Sequence, residues 1–450
     1  MNFRQKGFCI TYQPSTAIYE LGEGFYDPVS AADFPKTQIR YADKSLAAAL
    51  GLPISDSDWV KHFGRFSPLP NSLSQPLAMR YHGHQFRQYN PELGDGRGFL
   101  FAQLLDAKGR LLDLGTKGSG QTPYSRRGDG RLTLLGGVRE VLATRYLEHL
   151  GMNTSRTLSL IETGEALIRG DEPSPTRSAV MVRCNHSHIR FGTFQRLAFL
   201  EDVDGLESLI HYCIRHFYPE AKNGADLLEQ VCETSADMVA GWMAAGFVHG
   251  VMNTDNMNIT GESFDYGPYR FLPTMKPHMT AAYFDHNGLY RFSRQPEIMY
   301  WNLAQLAQSL SLIVDDQDLL KSLERYSSAY QTSLRNHVFA RLGLVPKALK
   351  TDTEFVLSTF QILEESQVSW PQFWHDWCGG APEDDGLYGA AFSDWKQAYS
   401  AYDICKAKPM AEVPASLIYE DIGALWEPIA EHDDWTAFEG KLNSYDRSSI

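Results

Sequence analysis

The stretch LLDLGTKGSGQTPYSRRGDGRLTLLGGVREVLATRYLEHLG, Leu111 to Gly151, decides how the rest of the chain is read. It begins as an apolar run that ends on Lys117, followed by Gly118 and Gly120. A loop of turn formers, QTPYSRRGDGR, comes next. Val138, Val141, Leu142, Tyr146 and Leu150 then recur at helical spacing, and Gly151 suits a helix stop. Upstream, GFLFAQLLD and LLDLGTKG flank a turn containing Gly109, which predicts a β-hairpin. Downstream, SAVMVRC at 178–184 reads as another strand. Hairpin, helix and strand in succession predict a small α+β lobe.

After residue 200 the texture turns helical. Leu228, Val231, Cys232, Val239, Trp242 and Met243 trace one helix face that ends near Gly246. Residues 297–345 are strongly helical, GGAPEDDG at 379–386 reads as an exposed loop, and Trp395, Tyr399 and Leu425 lie in further helical patterns. The expected fold class is α+β: a strand-rich N-lobe and a helical C-lobe, with a cleft between. The expected divisions are an irregular N-terminal segment at 1–80, an N-lobe at 81–200, a helical C-lobe at 201–375 and a helical extension at 376–450.

Composition narrows the class. A 450-residue chain is too long for one core, so two lobes are expected. The net charge of -14 argues against a general nucleic-acid binder, but leaves room for a local basic pocket. The six cysteines, Cys9, Cys184, Cys213, Cys232, Cys378 and Cys405, form no CxxC pair and read as reduced core thiols. Neither a secretory signal nor a membrane-spanning apolar run is present, so a cytoplasmic protein without membrane or nucleic-acid partners is expected.

Several residues are suited to nucleotide chemistry. In LGDGRG, Gly94 and Gly96 allow close backbone approach to phosphate and Arg97 can fork onto its oxygens; a plain turn is the other reading. Lys117 at a strand end can bind phosphate, and Glu140 on the next helix can pair with it, as a strand lysine and helix glutamate do in protein kinases. Asp129 and Gly130 of RRGDGR can reach a nucleotide, although a charged turn is equally open. Arg183 and Arg190, seven residues apart, can converge on one phosphate or serve as ordinary ion-pair residues.

The stretch HGVMNTDNMNITGESFDYG, His249 to Gly267, supplies what is missing. Asp255 can accept a hydroxyl proton. Asn256 and Asp265 offer a neutral and a charged oxygen to Mg²⁺. The gap between them fits a short hairpin with strand-like arms. His249 is expected to be structural, and His82 and His84 of YHGHQF lack partners at metal spacing.

YHGHQF, LGDGRG, KGSGQTPYSRRGDGR, SHIRFGTF, HGVMNTDN, DYGPYRFL and QPEIMYWNLAQLAQSL together resemble the selenoprotein O (YdiU) family of kinase-like protein adenylyltransferases, strongly over residues 80–345. The resemblance implies a protein-kinase-like bilobal fold that binds ATP in a flipped orientation and transfers AMP to Ser, Thr or Tyr hydroxyls of proteins, itself included. It implies Asp255 as proton acceptor, Asn256 and Asp265 as ligands to Mg²⁺ or Mn²⁺, and Glu140 as the partner that positions Lys117. Gly94, Gly96, Arg97, Lys117, Asp129, Gly130, Arg183, Arg190 and Asp265 would bind ATP. A kinase-type phosphotransferase and an inactive ATP-binding pseudokinase are the alternatives. The loop PTMKPHMTAAYFDHNG and the end NSYDRSSI lack the cysteines that many family members carry there, which sets aside a redox link between those segments.

Overall fold

The computed structural model describes residues 11–53, 55–170, 172–384, 386–409 and 412–447, so Cys9 lies outside the described residues. The chain divides into two compact units. The first takes in the chain up to Val141, Ser155–Asn223 and Asn258–Thr260; the second takes in Leu142–Thr154, Gly224–Met257 and the chain from Gly261.

The first unit is built on an antiparallel sheet of nine strands among the described residues. Its main path uses Tyr26–Pro28 (β1), Gln38–Ala42 (β2), Leu77–Met79 (β3), Leu100–Leu105 (β4), Leu111–Lys117 (β5), Arg156–Leu167 (β6) and Thr176–Asn185 (β7). Their order is β1-β3-β4-β5-β7-β6-β2. The hairpin β4–β5 pairs Leu104 with Leu112, and β5 pairs with β7 through Lys117↔Met181, Gly115↔Arg183 and Asp113↔Asn185. Side chains alternate along a strand and directly opposed residues share a face. One face therefore carries Asp113, Lys117, Arg183 and Asn185. The other carries Leu112, Leu114, Val180 and Val182, which enter a core with Trp59, Phe63, Phe66, Phe99 and Phe101. Phe66 meets Phe99 and Phe101 edge to face at 5.3 and 5.4 Å. Burying one such ring stabilises by about 1.5–3 kcal/mol, so Phe101→Ala would strip a large share of a small core's margin.

The helix Leu134–His149 (α1) starts where Thr133 Oγ1 accepts the Gly136 N–H at 3.0 Å, a side-chain cap. At Gly137 it packs so closely on β6 that a Cβ would sit 2.3 Å from Leu160 Cδ1. The boundary between the units falls within this helix. Phe191–Phe199 (α2) and Val203–His216 (α3) complete the regular helices used below.

The second unit is helical. It contains Gly224–Ala245 (α4), Gln295–Leu310 (α5), Asp316–Leu342 (α6), Leu349–Ser366 (α7) and Trp370–Trp377 (α8). The helical run expected over 297–345 is two helices. Asp315 accepts from the Gln317 N–H at 2.9 Å and restarts the chain as an N-cap. Phe373, Trp377, Trp395 and Tyr399 are buried together in edge-to-face and stacked pairs. No helix of the described residues is long and apolar enough to cross a membrane. The fold class is thus mixed α and β, an antiparallel sheet with many helices.

Candidate active site

In the first unit, Lys117 and Arg183 lie on the same sheet face, and Glu140 stands one turn beyond Gly137 on α1. Glu140 Oε2 is 2.5 Å from Lys117 Nζ, and Oε1 accepts from Arg183 Nη1 at 3.1 Å. The three side chains are 1–5% exposed. One carboxylate thus faces two cations within this buried cluster. Gly115 between them cannot be larger: its Cβ would lie 2.0 Å from His188 Nε2.

The glycine loop LGDGRG is fastened to this cluster. The Arg97 carbonyl accepts the Gly118 N–H at 2.7 Å, and a Cβ on Gly98 would meet the Thr116 carbonyl at 2.1 Å. The loop 122–125 latches onto it: Thr122 Oγ1 donates to the Asp95 carbonyl and Ser125 Oγ to the Gly96 carbonyl, both at 2.5 Å. The Tyr124 ring lies against Gly94, where a Cβ would come within 2.3 Å of it. The Tyr124 hydroxyl donates to Asp27, which also accepts from Arg80 at 2.5 and 2.9 Å. Those bonds, first the one from Arg80, hold the Asp27 carboxyl below its ordinary range. Burial and the neighbouring Asp27 push the Tyr124 phenol up to about 12. The phenol stays protonated and the latch keeps its donor.

Arg190 takes a different acid from Arg183. Its Nη2 lies 3.4 Å from Asp95 Oδ1, and its guanidinium stacks over the Tyr81 ring at 4.6 Å. The Asn258 backbone bridges Arg190, and Asn258 stands two residues after Asn256 in the sequence. Gly130 sits on Gly120, whose N–H it accepts at 3.1 Å, with φ +68°. Asp129 turns to Arg169, at 2.9 and 3.0 Å, and is half-exposed. Arg97 is exposed and makes no ion pair among the described residues.

In the second unit, Phe247–Val248 and Arg270–Phe271 pair antiparallel around this segment, but Asp255 and Asp265 lie on neither strand, so the strand-like arms expected to carry them are not seen. Thr254–Asn256 forms a single 3₁₀ turn, closed by the Asn256 N–H donating to the Asn253 carbonyl at 3.0 Å. The turn buries Asp255 and lets Asn256 Nδ2 donate to the Val251 carbonyl at 2.9 Å, while the amide Oδ1 remains an acceptor. Asp265 holds φ +63°, a left-handed conformation that costs a non-glycine residue about 1–3 kcal/mol. His249 is a strut. Its Nε2 lies 3.2 Å from the Phe264 carbonyl beside Asp265, and its own N–H donates to Gln295 Oε1 at 3.0 Å. Tyr266 is anchored between Ser263 Oγ at 2.8 Å and Thr154 Oγ1 at 2.5 Å. His82 and His84 bond Tyr89 and Gln195 at 2.8 Å, and burial, with Arg196 nearby, pushes His82 down to about 4.

Sequence reasoning passed over three residues that hold this arrangement. Asp95 sits between the two glycines of LGDGRG as a partner of Arg190. Gln295 and Asn302, seven residues apart on α5, clasp the segment before Asp255: Gln295 Nε2 donates to the Phe247 carbonyl at 2.8 Å and Asn302 Nδ2 to the Met252 carbonyl at 2.9 Å. Two wholly buried amides at that spacing on an apolar helix were the available signal.

The donors suit a hard cation only in part. Asn256 and Asp265 offer oxygen, the chemistry Mg²⁺ and Mn²⁺ take. Among the described residues no group of three or more His, Cys, Asp or Glu is placed to hold a metal by itself. That donor set fits a metal whose remaining ligands are water and substrate phosphate.

A family model described as protein adenylyltransferase SelO matches residues 9–379, beyond the 80–345 that the motifs cover. The chain is 44% identical to a protein nucleotidyltransferase YdiU of Synechocystis sp., over 95% of this chain and 96% of that one. It is 42% identical to the protein of that name from Trichormus variabilis, over 97% and 95%, and 38% identical to that from Vibrio cholerae, over 78% and 72%. With more than four-fifths of its length inside the family model, this chain belongs to the protein adenylyltransferase SelO family.

Proposed function

We propose that this chain is an ATP-dependent protein adenylyltransferase that moves AMP onto Ser, Thr or Tyr hydroxyls of proteins, itself included, and releases pyrophosphate. Family membership supports the reaction class. The observation that carries the site is the buried Lys117–Glu140–Arg183 cluster beside the latched glycine loop.

In this reading the chain has the protein-kinase-like bilobal fold that the family resemblance implies. Lys117, Arg183 and Arg190 hold the terminal phosphates, with Glu140 keeping Lys117 in place. Gly94, Gly96, Arg97, Asp129 and Gly130 complete the nucleotide contacts. Asn256 and Asp265 would hold Mg²⁺ or Mn²⁺, which would neutralise charge on the phosphate oxygens. Asp255 takes the proton of the acceptor hydroxyl. The hydroxyl oxygen forms a bond to the α-phosphorus as the bond to the pyrophosphate oxygen breaks, and pyrophosphate leaves. A cytoplasmic setting belongs to this reading, with Cys184, Cys213, Cys232, Cys378 and Cys405 outside any disulfide.

ATP labelled at the α- or the γ-phosphate, supplied with Mg²⁺ or Mn²⁺, tests the proposal. Protein-bound label is expected from the α-position alone. Label arriving only from the γ-position would make the chain a phosphotransferase, and nucleotide binding without any transfer would make it a pseudokinase.

A further inference from the structure

We propose that the closed loop 277–293 of the second unit is the surface on which a protein substrate lays the segment bearing its acceptor hydroxyl. The proposal rests on the adenylyltransferase reading above.

The loop is built, not loose. The Ser293 N–H donates to the Pro277 carbonyl at 3.0 Å and the Phe292 N–H to the Met279 carbonyl at 2.9 Å, so its ends are tied together. Compact surface loops of this kind are frequently functional. Inside it, the buried Asp285 carboxylate accepts the N–H groups of Leu289 and Tyr290, each at 2.8 Å. The Tyr290 hydroxyl donates to Asn253 Oδ1 at 2.7 Å, two residues before Asp255. On the other side Ala281 packs on Gly250, where an added Cβ would lie 2.8 Å from the Ala281 methyl. Both flanks of the loop are thus pinned to the run that leads into Asp255.

This turn displays an aromatic pair at the surface. Tyr283 is 75% exposed and Phe284 43% exposed, with their rings edge to face at 5.1 Å. Exposed, preordered aromatic pairs suit a protein contact, because rings bring large area at low entropy cost. Charge points to the partner's chemistry. Asp285 is the one acid between Lys276 and Ser293, and the turn buries it; Lys276 is exposed and Arg291 is half-buried. The loop's own surface charges, Lys276 and Arg291, are thus both positive in a chain of net charge -14. The matching occupant is a polypeptide segment with an apolar or aromatic residue near its hydroxyl and acidic neighbours.

A peptide library with one fixed Tyr, Ser or Thr, incubated with α-labelled ATP and Mn²⁺, tests this. The wild-type enzyme is expected to favour peptides with an apolar residue and Asp or Glu beside the acceptor. Tyr283→Ser combined with Phe284→Ser should lower kcat/KM for those peptides about tenfold or more, while slow hydrolysis of ATP to AMP by water and the affinity for ATP stay at wild-type values. Lys276→Glu with Arg291→Glu should erase the acidic preference. Leu320→Ser, at another exposed site, should change nothing. Unchanged peptide kinetics in the aromatic double variant, with its melting temperature retained, would overturn the docking surface alone. A wild-type enzyme that labels no acceptor from the α-position would remove the adenylyltransferase reading, and the docking surface with it.

Discussion

The Lys117 ammonium lies 2.5 Å from the Glu140 carboxylate, with side-chain exposures of 5% and 1%. Removing the acid leaves Lys117 and Arg183 buried without that counter-charge. Glu140→Gln should lose about 3–5 kcal/mol of stability, measured by urea denaturation, together with ATP affinity. Lys117→Met combined with Glu140→Leu should recover only the part of that stability lost at Lys117, because Arg183 stays buried without the acid, and none of the transfer activity. Recovery of transfer in that double variant would break the link between the pair and phosphate binding.

Asp255 and Asp265 should separate by assay. Asp265→Ala should abolish the metal dependence of ATP binding, read by calorimetry with and without Mg²⁺. Asp255→Ala should keep that binding and slow transfer by about 10²–10⁴-fold, the usual share of a general base. Unchanged ATP–metal affinity in Asp265→Ala would count against its assignment.

Asn302 holds the Met252 carbonyl at 2.9 Å from a wholly buried position on α5. Asn302→Leu should cost about 1–3 kcal/mol by stranding that carbonyl. Because the run it clasps leads to Asp255, kcat should fall while KM for ATP changes little. A variant that melts earlier yet keeps its kcat would make Asn302 purely structural.

His82 gives a pH test. Burial, with Arg196 nearby, holds it at about 4 in the fold, against 6.5 for an ordinary histidine. Between those values the unfolded chain binds more protons, so its contribution to stability is full above pH 6.5 and is lost as pH falls toward 4. Thermal melts across that window should show the loss, and His82→Asn should flatten it. An imidazole resonance of His82 titrating at the ordinary value would contradict this.

Legibility followed local pattern. β4, β5, α1 and α4 were readable because their apolar residues repeat at the period of one element. β1 and β3 have three residues each, too few for a period to show. β6 is interrupted by Gly164 at φ +79° and by register shifts, which erase its alternation. By spelling alone the Asp255 turn belongs to a hairpin, because the Asn253–Asn256 bond that winds it into a 3₁₀ turn leaves no mark in the sequence.

The sequence alone determined which chemical groups are present and in what order: a strand lysine, a helix glutamate, glycine loops, two arginines, then Asp-Asn and Asp. Tertiary structure decided which acid each cation meets. Glu140 reaches Lys117 across 23 residues and Arg183 across 43, while Arg190 reaches Asp95 across 95. Partners so far apart share no local period. Only strand register, which puts Lys117 and Arg183 on one face, and the close approach of α1 at Gly137 bring them together.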